Sequence, residues 1–280
     1  MSRFIFGAAI AALVLSVPTA AQADENLFAY SYGSETLPAG GTEAYLWATD
    51  RRGKGSGDYN AQDYRLELEH GFTNRLQASL YMNFLSVRGE GLDPVIEDVD
   101  RNFVWNGMQA AAKYALLSPY KDPIGLAVYL EPGFARYSGK DGEREDQRTL
   151  EAKILLQKNF AGDRITWVGN LTGEQEWARA VGDDKWAKEF QFEASTGLGM
   201  RIAQGLHLGA EGRYSSVYVH GNRDKWAIFA GPTIHYAARK WWGTLSYQHQ
   251  VNGNPGTLSS SRNLDSFTDR EIRLKIGYNF

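Results

Sequence analysis

The sequence predicts an all-β chain: a transmembrane, antiparallel up-and-down β-barrel of about twelve strands, with ten or fourteen as the neighbouring counts. Three observations predict it. The N-terminus reads as an export signal, segments of alternating apolar and polar residues recur to an aromatic last residue, and tight connections alternate with long ones.

The export signal comes first. Met1-Ser2-Arg3 brings one positive charge, Phe4 to Val17 is apolar or small, Pro18 ends the run, and Ala21-Gln22-Ala23 supplies a small-x-small motif. This is the pattern of a secretory signal peptide, with cleavage expected between Ala23 and Asp24. Residues 1–23 are then a leader and residues 24–280 a single barrel domain. The apolar run, about 14 residues, is shorter than the roughly 20 of a membrane helix, and no later stretch comes closer. The formal net charge is −3, and losing Arg3 with the leader makes it −4. That balance gives no basic face for nucleic acid. The sequence has no cysteine, which excludes disulfides, thiol catalysis and Cys-ligated metal.

Composition points the same way. Glycine is 30 of 280 residues, Trp and Tyr are 8 and 15, and the mean hydropathy is −0.43 despite a 43% apolar content. Polar and apolar residues must therefore interleave, as lipid-facing and lumen-facing positions do in a membrane barrel.

The last segment is the clearest strand. Ile272, Leu274, Ile276, Tyr278 and Phe280 share one face, while Arg273, Lys275, Gly277 and Asn279 share the other. Ending on Tyr278 and Phe280 resembles the C-terminal signal that the barrel-assembly machinery reads in bacterial outer-membrane proteins. Working backwards, strands are predicted near 241–251, 226–236, 206–218, 190–202 and 165–177. In the first half they fall near 42–51, 60–70, 75–88, 103–116, 123–138 and 146–160. Short turns are expected around 71–74, 118–122, 161–163, 204–205 and 239–240. Longer loops are expected at 52–59, 89–102, 139–145, 178–186, 219–225 and 252–267. An even strand count puts both termini on the periplasmic side and every long loop outside a Gram-negative cell.

Some segments resist this pattern. Gln109 to Leu117 contains Ala-Ala-Ala-Lys and suits a helix on propensity alone. Leu150 to Leu156 has helical apolar spacing. Pro132 and Pro232 fall inside predicted strands, where each costs a ladder bond, and are expected at bulges or rims. Tyr45, Trp47, Trp105, Trp167, Trp177, Trp186, Trp226, Trp241 and Trp242 cluster near strand ends and read as interface girdles.

A barrel fold leaves function to its sites. The inward-facing positions are expected to include Arg65, Glu67, Glu69, Glu131, Glu151, Lys153, Glu174, Glu176, Glu193, Arg201, Glu211, Arg213, Arg273 and Lys275. Mixed charge on such a lumen suggests a weakly selective pore or cross-strand braces. Closure brings Arg273 and Lys275 towards Glu43, Glu67 and Glu69. An enzyme reading needs a nucleophile with a His base and a third group that orients it. No Ser stands two residues from any of the five His, and Gly-x-Ser-x-Gly is absent. His207 and His235 read as lying near opposite ends of adjacent strands. Asp93, Glu97, Asp98 and Asp100 form an acidic loop without EF-hand spacing, better suited to bridging lipopolysaccharide through divalent ions than to a dedicated metal site. No cofactor or metal is implied.

The N-terminal third adds a resemblance. Glu25-Asn26-Leu27-Phe28 and Tyr32-Gly33-Ser34-Glu35-Thr36-Leu37-Pro38 lead to Tyr64-Arg65-Leu66-Glu67-Leu68-Glu69-His70-Gly71 and Thr73-Asn74-Arg75-Leu76-Gln77. This resembles an uncharacterised family of proteobacterial outer-membrane barrels. The Glu69-to-Gln77 hairpin also resembles channel-like barrels linked to uptake of aromatic compounds. The resemblance implies an outer-membrane protein that meets membrane lipid and lipopolysaccharide, and a channel or passive transporter for a small solute. An outer-membrane lipid hydrolase, and a sealed structural or adhesive barrel with interaction loops, are the alternatives.

Overall fold

The computed structural model describes residues 26–92, 95 and 97–280. The leader and its cleavage site at Ala23 and Asp24 lie outside the described residues, as do Asp93, Pro94 and Ile96.

Twelve strands form one closed antiparallel barrel in which every strand pairs with its neighbours in sequence and β12 closes on β1. They are β1 Thr42–Arg52, β2 Asp58–Thr73, β3 Leu76–Glu90, β4 Val99–Leu117, β5 Gly125–Tyr137 and β6 Arg144–Phe160. The second half is β7 Ile165–Ala180, β8 Ala187–Ala203, β9 Leu206–Val219, β10 Asn222–Ala237, β11 Trp241–Gly253 and β12 Arg270–Asn279. Closure runs from Glu43↔Asn279 to Arg52↔Arg270, and the Phe280 N–H donates to the Thr42 carbonyl. Both ends of the barrel wall thus meet at one rim, here the turn end. The helical propensity of 109–117 and 150–156 loses to this pairing, because each segment finds two partner strands.

The alternation that predicted the strands sorts the two faces. Leu46, Leu66, Leu68, Leu80, Leu130, Ile154, Leu198, Leu245, Leu274 and Ile276 all stand exposed on the outer wall. A contiguous apolar belt of this extent is foreign to a water-facing surface and suits a lipid-facing one.

Four expectations change. The 219–225 loop is a two-residue turn: His220 and Gly221 have φ of 51° and 82°, the left-handed pair a type I′ hairpin requires. The charged run Asn222 to Lys225 continues the strand beyond it, so long and short connections do not alternate strictly. Pro132 and Pro232 sit at neither bulge nor rim. Pro132 keeps Leu150 on β6 but has no ladder partner on β4, and Pro232 keeps Ala210 on β9 but none on β11. Each missing N–H opens one side of the ladder while register holds. Real irregularity gathers in β4, where Phe103 has φ 41° and Gly107 φ 97°. Any Cβ on Gly107 would run into the Phe134 carbonyl.

The fourth change concerns the girdle. Trp105, Trp167, Trp177, Trp226 and Trp241 face outward, as their strand parity requires, but Tyr45, Trp47 and Trp242 turn inward and pack together. Leu46 and Gly243 claim the alternate face, so parity overrules proximity to the strand end.

Candidate functional site

The barrel interior is occupied by the chain's own N-terminal segment, residues 26–41. It enters at the turn end, where the Thr244 hydroxyl donates to the Asn26 carbonyl at 2.6 Å and Lys275 Nζ lies 3.3 Å from Asn26 Oδ1. It rises to mid-barrel and turns around Glu211. Three successive backbone N–H groups, of Ala29, Tyr30 and Ser31, donate to that one carboxylate at 3.1, 2.9 and 2.9 Å. Such a concave run of amides is an anion nest, here filled by a side chain of the wall. The segment then descends. Tyr32 exchanges two bonds with the Asn170 amide, the Ser34 N–H donates to Gln157, and the Leu37 N–H donates to Gln77. Gly40 and Gly71 finish the path, with Gly40 N–H donating to the Gly71 carbonyl.

Side chains of the segment are clasped as firmly as its backbone. Tyr30 lies between Arg213 and Arg273, with ring-to-guanidinium distances of 4.2 and 3.9 Å. Tyr32 takes Lys153 at 4.5 Å and Lys275 at 4.9 Å. These are cation–π contacts in a water-poor interior, where they are worth most. Phe28 occupies a gap in the wall made by Gly197 and Gly199. A Cβ at Gly197 would stand 2.8 Å from the Phe28 ring. Beside Tyr32, Trp47 and Tyr81 the space left is about 10 Å³, room for about one water.

The wall residues singled out in the sequence meet here in a specific order. Glu67 accepts from Trp47 Nε1 at 2.9 Å, Glu69 from Ser79 at 2.9 Å and from Tyr45 and Gln77, and Glu131 from Tyr129. Arg65 is sandwiched between Trp47 and Tyr81. Arg213 pairs with Glu193 and with Glu271, and Glu193 also accepts from Ser215 at 2.6 Å. Arg273 donates to Thr49 Oγ1 at 2.8 Å and to the Ala29 carbonyl at 3.2 Å, so it holds the segment. Lys275 stacks on Trp47 at 3.8 Å. Arg201 stands apart: it is exposed at the turn end, where its guanidinium donates to the Gly162 carbonyl. Tyr278 and Phe280 are exposed on the outer wall.

At the opposite, loop end the barrel is half covered. Gly55 N–H donates to the Leu264 carbonyl, Tyr59 Oη donates to the Lys140 carbonyl and Arg51 donates to the Gly139 carbonyl. Leu92 packs on Tyr59, Leu85 and Val87. Over β6 to β8 the cover is thinner, and Glu145, Glu151, Glu174, Glu189 and Glu193 are half-buried. Glu131, Glu151 and Glu174 are successive register partners across three strands. Lys153, Lys140 and Arg213 answer three of these acids, at 3.0 Å from Glu151, 3.0 Å from Glu189 and 3.5 Å from Glu193, and leave Glu145 and Glu174 in excess. The vestibule is therefore net acidic.

His207 and His235 correct the sequence reading. They are register partners with ring centroids 5.8 Å apart, because the start of β9 and the end of β10 share the turn end in an antiparallel pair. His235 Nδ1 lies 2.7 Å from Thr244 Oγ1, directly beside the point where Asn26 enters. On the outer wall Thr42 Oγ1 is 2.7 Å from His70 Nδ1, and among the described residues no carboxylate orients that ring. In the acidic loop Asp98 caps the Gly91 N–H at 2.8 Å.

The occupying segment is what sequence reading missed. A signal existed: Gly197 and Gly199 are two inward glycines at successive inward positions of β8, which leave room for an aromatic of the N-terminal run.

A family model described as "Family of unknown function (DUF6662)" matches residues 20–280. The chain belongs to this family. No curated protein matches the chain in sequence. Among solved structures, the COG4313 outer membrane channel from Pseudomonas putida F1 is similar with a TM-score of 0.64 at 14% identity, covering 88% of this chain and 98% of that one. The KdgM porin in complex with disordered oligogalacturonate matches with a TM-score of 0.51 at 10% identity, over 85% of this chain and 99% of its own. The β domain of the Bordetella autotransporter BrkA matches at 0.56 and 14%, over 86% and 100%. At such identities these likenesses show the fold alone, and this chain has that of outer-membrane β-barrels.

Proposed function

We propose that the protein is an outer-membrane channel for a small solute, with its loops outward and both termini periplasmic, closed in this state by residues 26–41. The observation that carries the reading is how the segment is held. Wall side chains grip it through polar bonds to its backbone, from Glu211, Asn170, Gln157, Gln77 and Arg273. Withdrawing it leaves those side chains facing a lumen that water can fill, so the barrel wall survives its loss. The segment also enters and leaves by the same end, so withdrawal needs no threading past the loops. With the segment out, Glu145, Glu151, Glu174, Glu176 and Glu189 give the vestibule a preference for cations.

The test is planar-bilayer recording of the mature chain beside a form lacking residues 26–37. The full chain should be closed for most of the time, and the shortened form should show stable, cation-preferring steps. Absence of steps from the shortened form at either polarity, in protein shown to be folded, sinks the channel reading. The sealed-barrel alternative, favoured by the filled space around Tyr32, then takes its place.

A further inference from the structure

The outer wall at the loop end carries a feature that the lumen does not use. Across β5 to β8 an outward row reads Phe134, Arg148, Trp177, Lys188, each the register partner of the next. Nearer the rim Asp146 partners Arg179, and Arg136 stands beside them on β5. Trp186, from the loop before β8, folds over this wall, with the guanidinium carbons of Arg148 and Arg179 at 5.0 and 4.7 Å from its ring centroid. Opposite it, Trp105 takes Arg136 at 5.6 Å and meets Phe134 edge-on at 5.9 Å. Between the two indoles lies a groove of about 420 Å³.

Charge in the groove is unevenly spent. Arg179 pairs with Asp146 at 2.9 Å, whereas no carboxylate lies within ion-pair distance of Arg136 or Arg148 among the described residues. Below the two arginines the wall continues as Met108, Phe134 and Leu150, all exposed. An occupant must therefore bring anionic groups to the rim and apolar chains to the wall. Guanidinium forks held on indole faces suit phosphate, which they bind in bidentate fashion. A zwitterionic phospholipid offers one phosphate compensated by its own amine. A diphosphorylated, multiply acylated disaccharide offers two phosphates and no amine, with sugar rings to lie against Trp105 and Trp186.

We propose that this groove binds the diphosphorylated lipid A head of lipopolysaccharide in the outer leaflet, with Arg136 and Arg148 as the phosphate contacts. The inference rests on the outward orientation of the loops given above, and on nothing about conduction. Native mass spectrometry of the purified mature chain in detergent, titrated with bisphosphorylated lipid A, tests it. One lipid should be retained, at least tenfold less by the Arg136→Ala/Arg148→Ala variant, and unchanged by Arg223→Ala, which removes an arginine stacked on Trp226 at another part of the rim. Dephosphorylated lipid A and phosphatidylethanolamine should each bind the unaltered chain at least tenfold more weakly. These arms need no variant, so they decide the matter even where the double alanine form fails to fold. Equal retention by the folded double variant, equal binding of either control lipid, or displacement by millimolar inorganic phosphate would each overturn the proposal. Bilayer conductance is unaffected by any of these outcomes, so the channel reading stands or falls separately.

Discussion

Glu211 is the point at which closure is most concentrated. Its carboxylate is buried and accepts three backbone N–H groups, from Ala29, Tyr30 and Ser31, at 2.9 to 3.1 Å. A hydrogen bond to a charged group contributes about 1.5–3 kcal/mol. Simple addition gives roughly 5–9 kcal/mol, but one carboxylate serves all three, and removing it also removes its own burial cost, so we take about 2–4 kcal/mol as the net effect on docking. At about 1.4 kcal/mol per tenfold, Glu211→Ala should shift the docked-to-withdrawn equilibrium by about 30- to 700-fold. Glu211→Gln, which keeps one acceptor oxygen but loses the charge, should shift it less. Single-channel recording reads the open fraction directly, and hydrogen exchange at the amides of residues 29–31 reads docking without relying on conduction. Unchanged exchange at those amides in Glu211→Ala would refute the idea that the nest holds the segment. Faster exchange with no conductance would locate the error in the channel reading instead.

Gly197→Val places side-chain atoms where the Phe28 ring sits; protease cleavage within residues 26–35 should accelerate at least tenfold while the barrel keeps its heat-modifiable mobility, and equal cleavage would contradict the packing described. Lys54 lies in the 53–57 loop, where burial, reinforced by Arg51, pushes its ammonium down to about 8 from the ordinary 10.5. The unfolded chain holds that proton between pH 8 and 10.5 when the folded chain does not, so this group adds stability as pH rises through the window and nothing further changes below 8. Melting profiles across pH 7 to 11 should show the rise in the native chain, with a flatter curve for Lys54→Met; parallel curves would exclude the burial assigned to Lys54. Phe280, exposed beyond β12 and packed edge-on to Tyr278 at 5.4 Å, should act in assembly more than in stability. Phe280→Ala should lower the yield of assembled barrel in cells several-fold while barrel refolded in detergent melts normally, and a normal yield would argue against a recognition role.

The wall was legible in the sequence because a strand between lipid and lumen must alternate, and β12 does so over its whole length. The β9–β10 turn is illegible because a charged run suits a loop on composition, whereas Asn222 to Lys225 are strand residues at a rim where charge is tolerated. Tyr45, Trp47 and Trp242 were misplaced because nearness to a strand end says nothing about which face a residue takes. The occupied lumen was illegible for a different reason. Residues 26–41 have no period, since their backbone bonds go to side chains scattered over six strands, β3, β6, β7, β9, β11 and β12, and no local pattern records such partners. Inward glycines such as Gly197 and Gly199 of β8 and Gly125 of β5 carry a trace of it. Expected lumen charges at Glu211, Arg213, Arg273 and Lys275 do gather around the segment, but nothing in their spacing told what they would hold.

The order in which the chain is made gives the segment's anchorage a temporal side. Ala29 waits for Glu211, 182 residues later, and Asn26 for Lys275, 249 residues later. Loop closure over such separations is slow, and the contacts of Asn26 and Ala29 with Lys275 and Arg273 need the last strand in place. Asn26 and Ala29 are therefore among the last residues to find their partners. Where docking follows closure of the wall, assembly passes through a form with a complete wall and a wet interior, and under the channel reading proposed above opening would be a partial return along that path.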